Sequence, residues 1–389
     1  MKHYDNICTV CGAYKFLPFG QRSDGIRVLQ CGECGHGIVE QFQDDVKSLY
    51  GAGYFSAPPD CPVGYSDYAS AADQGVAWAA SLVRILKSGG DVLDIGCANG
   101  RALQLLGDGY NRFGIELNED MAQQAEQAGA RIIARDLLDS RVKEIYAGSF
   151  DAVLAIAVFE HIPDFGEAFR TATSLLKPDG VLVFELPLIQ AAGDVWYRSS
   201  LEHLHYPTRS SIEYLFREIL HLSLTGSVID VQDFGSIYVG LTSPDVETAR
   251  LAGAEYLRLT SAGPASLCGE EIRFRWYFDL MHFGRSRPEI LALYRHLKPE
   301  DWNAFTLRRL FDLWAFREEK LKHIEAYLAE VEKARDWHAE RAAALDQART
   351  HGEETIAELR QRLRDAESAR DEYAAQLDAI RTHLEESLT

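Results

Sequence analysis

Cysteines and carboxylates carry most of the chemistry legible in this sequence. Cys8-Thr9-Val10-Cys11 and Cys31-Gly32-Glu33-Cys34 are two C-x-x-C knuckles. Four thiolates suit tetrahedral zinc, and a closed four-sulfur shell is structural rather than catalytic. The separation of the knuckles matches a four-cysteine zinc ribbon. Two disulfides or a redox pair are the competing readings. Gly12 and Gly35 directly follow the second cysteine of each knuckle, where tight turns need them. His36, beside the second knuckle, reads as a neighbour of the shell or a solvated side chain rather than a ligand. Cys61, Cys97 and Cys268 read as unpaired.

A second group lies in the middle of the chain. Asp91-Val92-Leu93-Asp94-Ile95-Gly96-Cys97-Ala98-Asn99-Gly100 reads as a strand, a glycine-containing turn and the start of a helix. Such a turn lets the backbone approach a ligand closely, and the helix N-terminus receives polar groups. Cys97 sits inside it as a small apolar side chain. Glu116, at the end of the next strand, can accept both ribose hydroxyls of a nucleoside cofactor, with Leu117 beside it. Asp136, after the third strand, is within reach of an adenine amino group. Carboxylates that follow successive strands share one sheet edge, where open α/β folds bind ligands. The turn lacks the G-x-G-x-x-G spacing that dinucleotide enzymes prefer, which weakens the reading of a generic nucleotide-binding domain.

The elements that must hold these residues alternate between β-type and helical runs. Expected strands are Asp91–Ile95, Arg112–Ile115, Arg131–Ala134, Phe150–Val158 and Val181–Glu185, with two more near Leu222–Val228 and Ser236–Leu241. Expected helices are Val76–Lys87, Arg101–Leu106, Glu119–Ala128 and Phe165–Leu176, the last stopped by Lys177-Pro178-Asp179-Gly180. That alternation predicts a seven-stranded, doubly wound, mostly parallel sheet.

The ordered set from about 75 to 245 resembles the class I S-adenosylmethionine (SAM)-dependent methyltransferases, which have a Rossmann-like α/β core. The resemblance implies that Asp94, Gly96 and Gly100 surround the methionine part of SAM. It places Glu116 at the ribose and Asp136 with Leu137 at the adenine, and has Ala157 line the pocket by its backbone. Ala98 departs from the Gly that many members carry. A zinc ribbon, then Tyr54-Phe55, then a SAM core resembles the sugar C-methyltransferases that act on nucleotide-linked deoxysugars. Their H-E-H-x-x-Y segment is matched here by Leu201-Glu202-His203-Leu204-His205-Tyr206, with Leu201 in place of the first His. The second α/β domain of that family is not expected in the region after Leu241. The reading therefore favours a sugar hydroxyl as acceptor. A hydroxyl must lose its proton during or after attack, and a histidine suits that task. Among His161, His203 and His205, His203 is favoured as base, with Glu202 orienting it and His161 near the transferred methyl. The alternative for each is a hydrogen-bonded structural histidine. The tyrosines from Tyr50 to Tyr68 are either a lid over the pocket or packing between ribbon and core, evenly weighed.

Composition bounds the rest. Lys+Arg 40 against Asp+Glu 59 gives a net charge of -19, a poor balance for gripping a polyanion, so nucleic acid is disfavoured. The absence of an Asn-Pro-Pro-Tyr segment after the fourth strand points the same way. No apolar run approaches the ~20 residues of a membrane span, and the start lacks a signal-type apolar stretch, so a soluble, cytoplasmic protein is expected. Four segments are expected: a zinc ribbon and aromatic segment at 1–60, the methyltransferase domain at 61–245, a helical region at 246–316 and a coiled coil at 317–389. In the last, Leu321, Leu328, Ile356, Leu363, Leu377 and Leu384 recur at heptad a positions, although Arg335, Arg349 and Arg370 interrupt them. A solvated charged helix or a disordered tail is the alternative there. The architecture resembles bacterial methyltransferases of surface polysaccharides, whose coils set oligomeric state and hold a glycosyltransferase. The resulting expectation is SAM-dependent methylation of a sugar or glycan by a homo-oligomer or partnered enzyme. A methyltransferase of another small metabolite and a SAM-binding scaffold are the alternatives.

Overall fold

The computed structural model describes residues 2–3 and 7–282, apart from 43–44, 52, 59–60, 62, 66–67, 69–71, 73–74, 190–195, 232–234 and 264–265. Towards the C-terminus it describes 333, 341, 343, 346–347, 349–368 and 370–372. Two units separate, Met1–Leu313 and Trp314–Thr389.

In the first unit, β1 (Phe16–Gln21), β2 (Arg27–Cys31) and β3 (Gly37–Val39) form an antiparallel meander between and after the cysteine knuckles. The core follows as α1 (Ala77–Leu86), β4 (Gly90–Ile95), α2 (Arg101–Leu106), β5 (Tyr110–Ile115), α3 (Glu119–Gln127), β6 (Arg131–Ala134), α4 (Ser140–Tyr146), β7 (Phe150–Ile156), α5 (Phe165–Ser174) and β8 (Leu176–Leu188). A two-residue strand, β9 (His205–Tyr206), then leaves the core and pairs with β3, His205 opposite Ile38. The chain continues as α6 (Arg209–Tyr214), which runs into a wider π turn over Leu215–Leu220, then β10 (Leu224–Val231) and β11 (Gly235–Thr242).

The large sheet has seven strands in the order β10-β11-β8-β7-β4-β5-β6. The pairs β6-β5, β5-β4, β4-β7 and β7-β8 are parallel, and β11 is antiparallel to both its neighbours. The seven expected strands are all present. Their continuous apolar runs are explained by cover on both faces: Val92, Leu93, Val153, Leu154, Val183 and Phe184 are fully buried. Helix α5 stops at Ser174, a little earlier than expected. Leu176 already pairs with Phe150, and Lys177-Pro178-Asp179-Gly180 forms an irregularity within β8 instead of a helix stop. Asp164 caps α5 by accepting from Glu167 N at 2.9 Å, and Thr208 and Ser211 form a reciprocal capping box on α6.

Helices α7 (Val246–Ser261) and α8 (Gly269–His282) pack onto this core. Phe278 meets Trp78 of α1 edge-on at 6.0 Å, and the buried Arg275 donates to the carbonyls of Leu259, Thr260 and Ala262 at the end of α7. In the second unit, residues 349–368 are helical, with Ile356, Leu359 and Leu363 exposed. Most of the expected coiled-coil seam, including Leu321, Leu328, Leu377 and Leu384, lies outside the described residues. Among the described residues no helix is long and apolar enough to cross a membrane.

An aromatic cluster supports the loop after β7. Phe169 touches the rings of Phe159, Phe165, Phe184 and Phe216 at centroid distances of 4.0 to 5.5 Å. Phe169→Ala is expected to cost about 3–5 kcal/mol, read as a fall in the urea unfolding midpoint with an unchanged slope.

Candidate functional site

At the carboxyl edge of β4 the chain turns sharply. Gly96 has φ 69°, and a Cβ there would come within 2.7 Å of Val158 Cγ2, so only glycine fits. Ala98 also lies in the left-handed region, at φ 45°. The strain of a non-glycine residue there is offset by a hydrogen bond: Ala98 N donates to Glu116 Oε2 at 2.8 Å. The other oxygen of Glu116 accepts from Asn118 N at 2.7 Å. One buried carboxylate thus ties the turn after β4 to the turn after β5. Burial raises the Glu116 pKa, and these two backbone donors oppose the rise. Asp94 is buried beside it and is pushed up to about 8 by desolvation, with the Glu116 charge adding to the shift. Cys97 is buried in the same turn, and Ala157, at φ 52°, follows β7 across the edge. Gly100 carries the turn into α2.

At the next strand end, Asp136 accepts from Leu138 N at 3.0 Å and pairs with Lys47 at 2.5 Å. Leu137 is buried in the core and Leu117 is half-buried. The aromatic segment before the core reaches this crevice. Asn118, the cap of α3, donates its side-chain amide to the carbonyls of Tyr50 and Gly51 at 2.8 and 3.0 Å. Tyr68 lies close enough to Asp94 and Glu116 for their charges to raise its pKa further, on top of burial.

A second group sits at the ends of β7 and β8. Glu160 and His161 occupy a short 3-10 turn, Glu185 projects from β8, and Glu202 with His203 precedes β9. His161 Nδ1 donates to the carbonyl of Glu202 at 3.2 Å, and its Nε2 lies 3.7 Å from Glu160 Oε1. The rings of His161 and His203 meet edge-on at 4.8 Å, and Tyr50 approaches His161 at 5.8 Å. Tyr54 bridges Tyr50 and Tyr65, at 4.8 and 5.7 Å. Burial pushes both Glu160 and Glu185 up to about 8; for Glu160 the charges of Glu185 and Glu202 add. Burial likewise raises Glu202, lowers His161 to about 4 and holds His203 well below its ordinary value. Sequence reasoning placed His161, Glu202 and His203 here but assigned no role to Glu160 or Glu185. The available signal was a lone carboxylate inside an apolar run, as in Val181-Leu182-Val183-Phe184-Glu185-Leu186.

The cysteine knuckles close on one another. Cys8 and Cys34 Sγ are 3.6 Å apart and Cys11 and Cys31 Sγ 3.5 Å, and all four sulfurs lie within 4.8 Å of one another. Thiolates about 2.3 Å from a tetrahedral ion stand roughly 3.8 Å apart, so these residues fit zinc and are not disulfide-bonded. Gly12 and Gly35 take φ 73° and 78°. His36 is neither ligand nor solvated. It is fully buried, and its Nε2 lies 2.9 Å from Nδ1 of His205, whose Nε2 lies 3.1 Å from the Pro163 carbonyl. That carbonyl requires an N–H on His205 Nε2, so His205 Nδ1 accepts from His36. The ribbon is thereby bonded to both loops that carry the second group.

Against known proteins, residues 70–219 match the family model described as a methyltransferase domain. The chain carries a class I SAM-dependent methyltransferase domain. A curated relative is the ubiquinone biosynthesis O-methyltransferase of Methylococcus capsulatus, 29% identical over 102 residues, which are 25% of this chain and 43% of that protein. The protein of the same name from Xanthomonas axonopodis pv. citri is 35% identical over 109 residues, 25% of this chain and 44% of its own. The chain therefore spans less than half the length of these relatives, and neither name refers to a sugar. Among solved structures, a 1,6-didemethyltoxoflavin-N1-methyltransferase from Burkholderia thailandensis aligns at 18% identity and TM-score 0.40, over 55% of this chain and 97% of that one. A likeness of that size carries no argument about the ligand.

His205→Ala removes the acceptor of the buried His36 N–H. It is expected to cost about 1–3 kcal/mol, measured by urea unfolding, with His205→Gln recovering part of the loss.

Proposed function

We propose that the protein transfers a methyl group from SAM to a hydroxyl of a polyhydroxylated acceptor, a sugar or glycan. What carries the reading is the juxtaposition of two carboxylate groups on one sheet edge, the buried Asp94 with Glu116 and the buried Glu160 and Glu185 with the half-buried Glu202, bridged by Tyr50, Tyr54, Tyr65 and Tyr68. Asp94, Gly96, Cys97 and Gly100 are assigned to the methionine end of the donor, Glu116 and Leu117 to the ribose, and Asp136 with Leu137 to the adenine. Ala157 lines the boundary through its backbone. A buried carboxylate suits an ammonium group or paired hydroxyls, which return what desolvation costs it.

When bound, SAM supplies an electrophilic methyl, so positioning furnishes most of the rate. The residues of this chain hold the acceptor oxygen and take its proton. Burial makes His203 a weak base, whereas Glu202 is moved towards the working pH. We therefore assign the proton to Glu202, with His203 and His161 fixing the geometry. Tyrosine faces and carboxylates together suit a sugar's C–H faces and hydroxyls. A hydroxylated small metabolite of another kind is the second reading, favoured by the name of the curated relatives.

The four cysteines are assigned a structural zinc ion that anchors the acceptor-side loops. The tail at 317–389 is assigned to self-association or to a partner such as a glycosyltransferase, with support from the exposed Ile356, Leu359 and Leu363. The 61–245 domain with its 1–60 ribbon and helices α7 and α8 would then form the working part; the rest of the expected helical region, 283–316, lies outside the described residues.

Two outcomes test this reading. Asp94→Asn is expected to weaken binding of S-adenosylhomocysteine roughly tenfold to a hundredfold, by calorimetry, with the circular dichroism spectrum unchanged. With labelled SAM, nucleotide-sugar pools and glycan extracts are expected to yield a methylated sugar, and Glu202→Gln to lower kcat roughly 100-fold or more while KM for SAM holds. Label on a non-sugar metabolite alone would favour the second reading.

A further inference from the structure

We propose that Glu160, His161 and His203 bind one divalent transition-metal ion, at a site separate from the four-cysteine cluster. Each of the three offers a ligand atom, and these atoms all lie within 4.8 Å of one another. Ligands about 2.1 Å from an ion stand roughly 3–3.5 Å apart. Glu160 Oε1 and His161 Nε2, at 3.7 Å, are already close to that spacing.

Two further observations point to a ligand there. The Glu160 carboxyl is 1% exposed, and neither of its oxygens has a hydrogen-bond partner among the described residues. A carboxylate out of water without a donor or cation is costly, and here Glu185 and Glu202 add like charge nearby. A divalent ion supplies the missing compensation. His161 is oriented for the task. Its Nδ1–H is given to the Glu202 carbonyl, so the lone pair of Nε2 faces Glu160. A backbone carbonyl that fixes the tautomer of a ligating imidazole is the usual outer-shell arrangement in metal sites.

Two imidazoles and one carboxylate suit Mn2+, Fe2+, Co2+ or Zn2+, whereas four thiolates select zinc. Three protein ligands leave coordination positions open. An acceptor hydroxyl bound there loses its proton more readily. Its oxygen then forms the new bond to the methyl carbon, the carbon–sulfur bond breaks with its electron pair going to sulfur, and the proton passes to Glu202. This role rests on the methyl-transfer reading; binding of the ion does not.

The test is titration of full-length, zinc-replete protein with Mn2+, with free Mn2+ followed by electron paramagnetic resonance. One saturable Mn2+ per chain is expected, with zinc content unchanged. Glu160→Gln and His203→Ala should each weaken it at least roughly tenfold, with zinc content and circular dichroism retained. Should both variants misfold, pulsed resonance on the wild type still decides, because two coordinated imidazole nitrogens are expected. No saturable Mn2+ up to millimolar concentration, binding untouched in both well-folded variants, or bound Mn2+ without imidazole coupling would overturn the proposal. Methyl transfer is read separately, so Mn2+ binding by a protein that methylates nothing would support the site and count against the acceptor reading alone.

Discussion

Asp94, Glu116, Glu160 and Glu185 lie out of water at one edge of a parallel sheet, and Glu202 stands beside them. Removing carboxylates from water is among the most expensive things a fold can do. Glu116 recovers the cost locally, through two backbone N–H donors. Asp94 and Glu160 recover little of it from the protein and are pushed towards the neutral form. Much of the remaining structure serves to keep this edge dry and in register. The β4 turn is bent back so that Ala98 N reaches Glu116, and the segment around Tyr50 is fastened over it by Asn118.

The ribbon belongs to the same design. Its third strand pairs with β9, and the line from His36 through His205 to the Pro163 carbonyl joins it to the loops after β7 and β8. Leu204 N also donates to the Glu160 carbonyl at 2.9 Å. Glu160, His161, Glu202 and His203 are therefore positioned by contacts that cross from ribbon to core. A metal ion held by four cysteines at one end of that framework would stiffen the other end without touching a substrate.

The parts of the fold legible in the sequence were those with strong local signals. Apolar runs ended by Gly96 or Glu116 located β4 and β5, and paired knuckles with Gly12 and Gly35 located the ribbon. What escaped depended on long-range pairing. His205–Tyr206 is too short to read as a strand, and it becomes one only because β3 offers an open edge far away in sequence. Helix α6 carried a readable cap in Thr208 and Ser211, and α4 a cap in Asp139, yet neither has a long amphipathic run behind it. Glu160 and Glu185 act on one another only because the fold brings the ends of β7 and β8 together, which no local signal records. Burial, invisible in sequence, likewise lowers the basicity of His203.

The most direct test of the account is a crystal structure of the full chain with S-adenosylhomocysteine. The homocysteine end is expected beside Asp94 and Gly96, the ribose on Glu116, and the sulfur directed towards Glu202 and His203 beneath Tyr50. A sulfur directed away from Glu160, His161, Glu202 and His203, or a ligand that leaves Asp94 and Glu116 untouched, would contradict it.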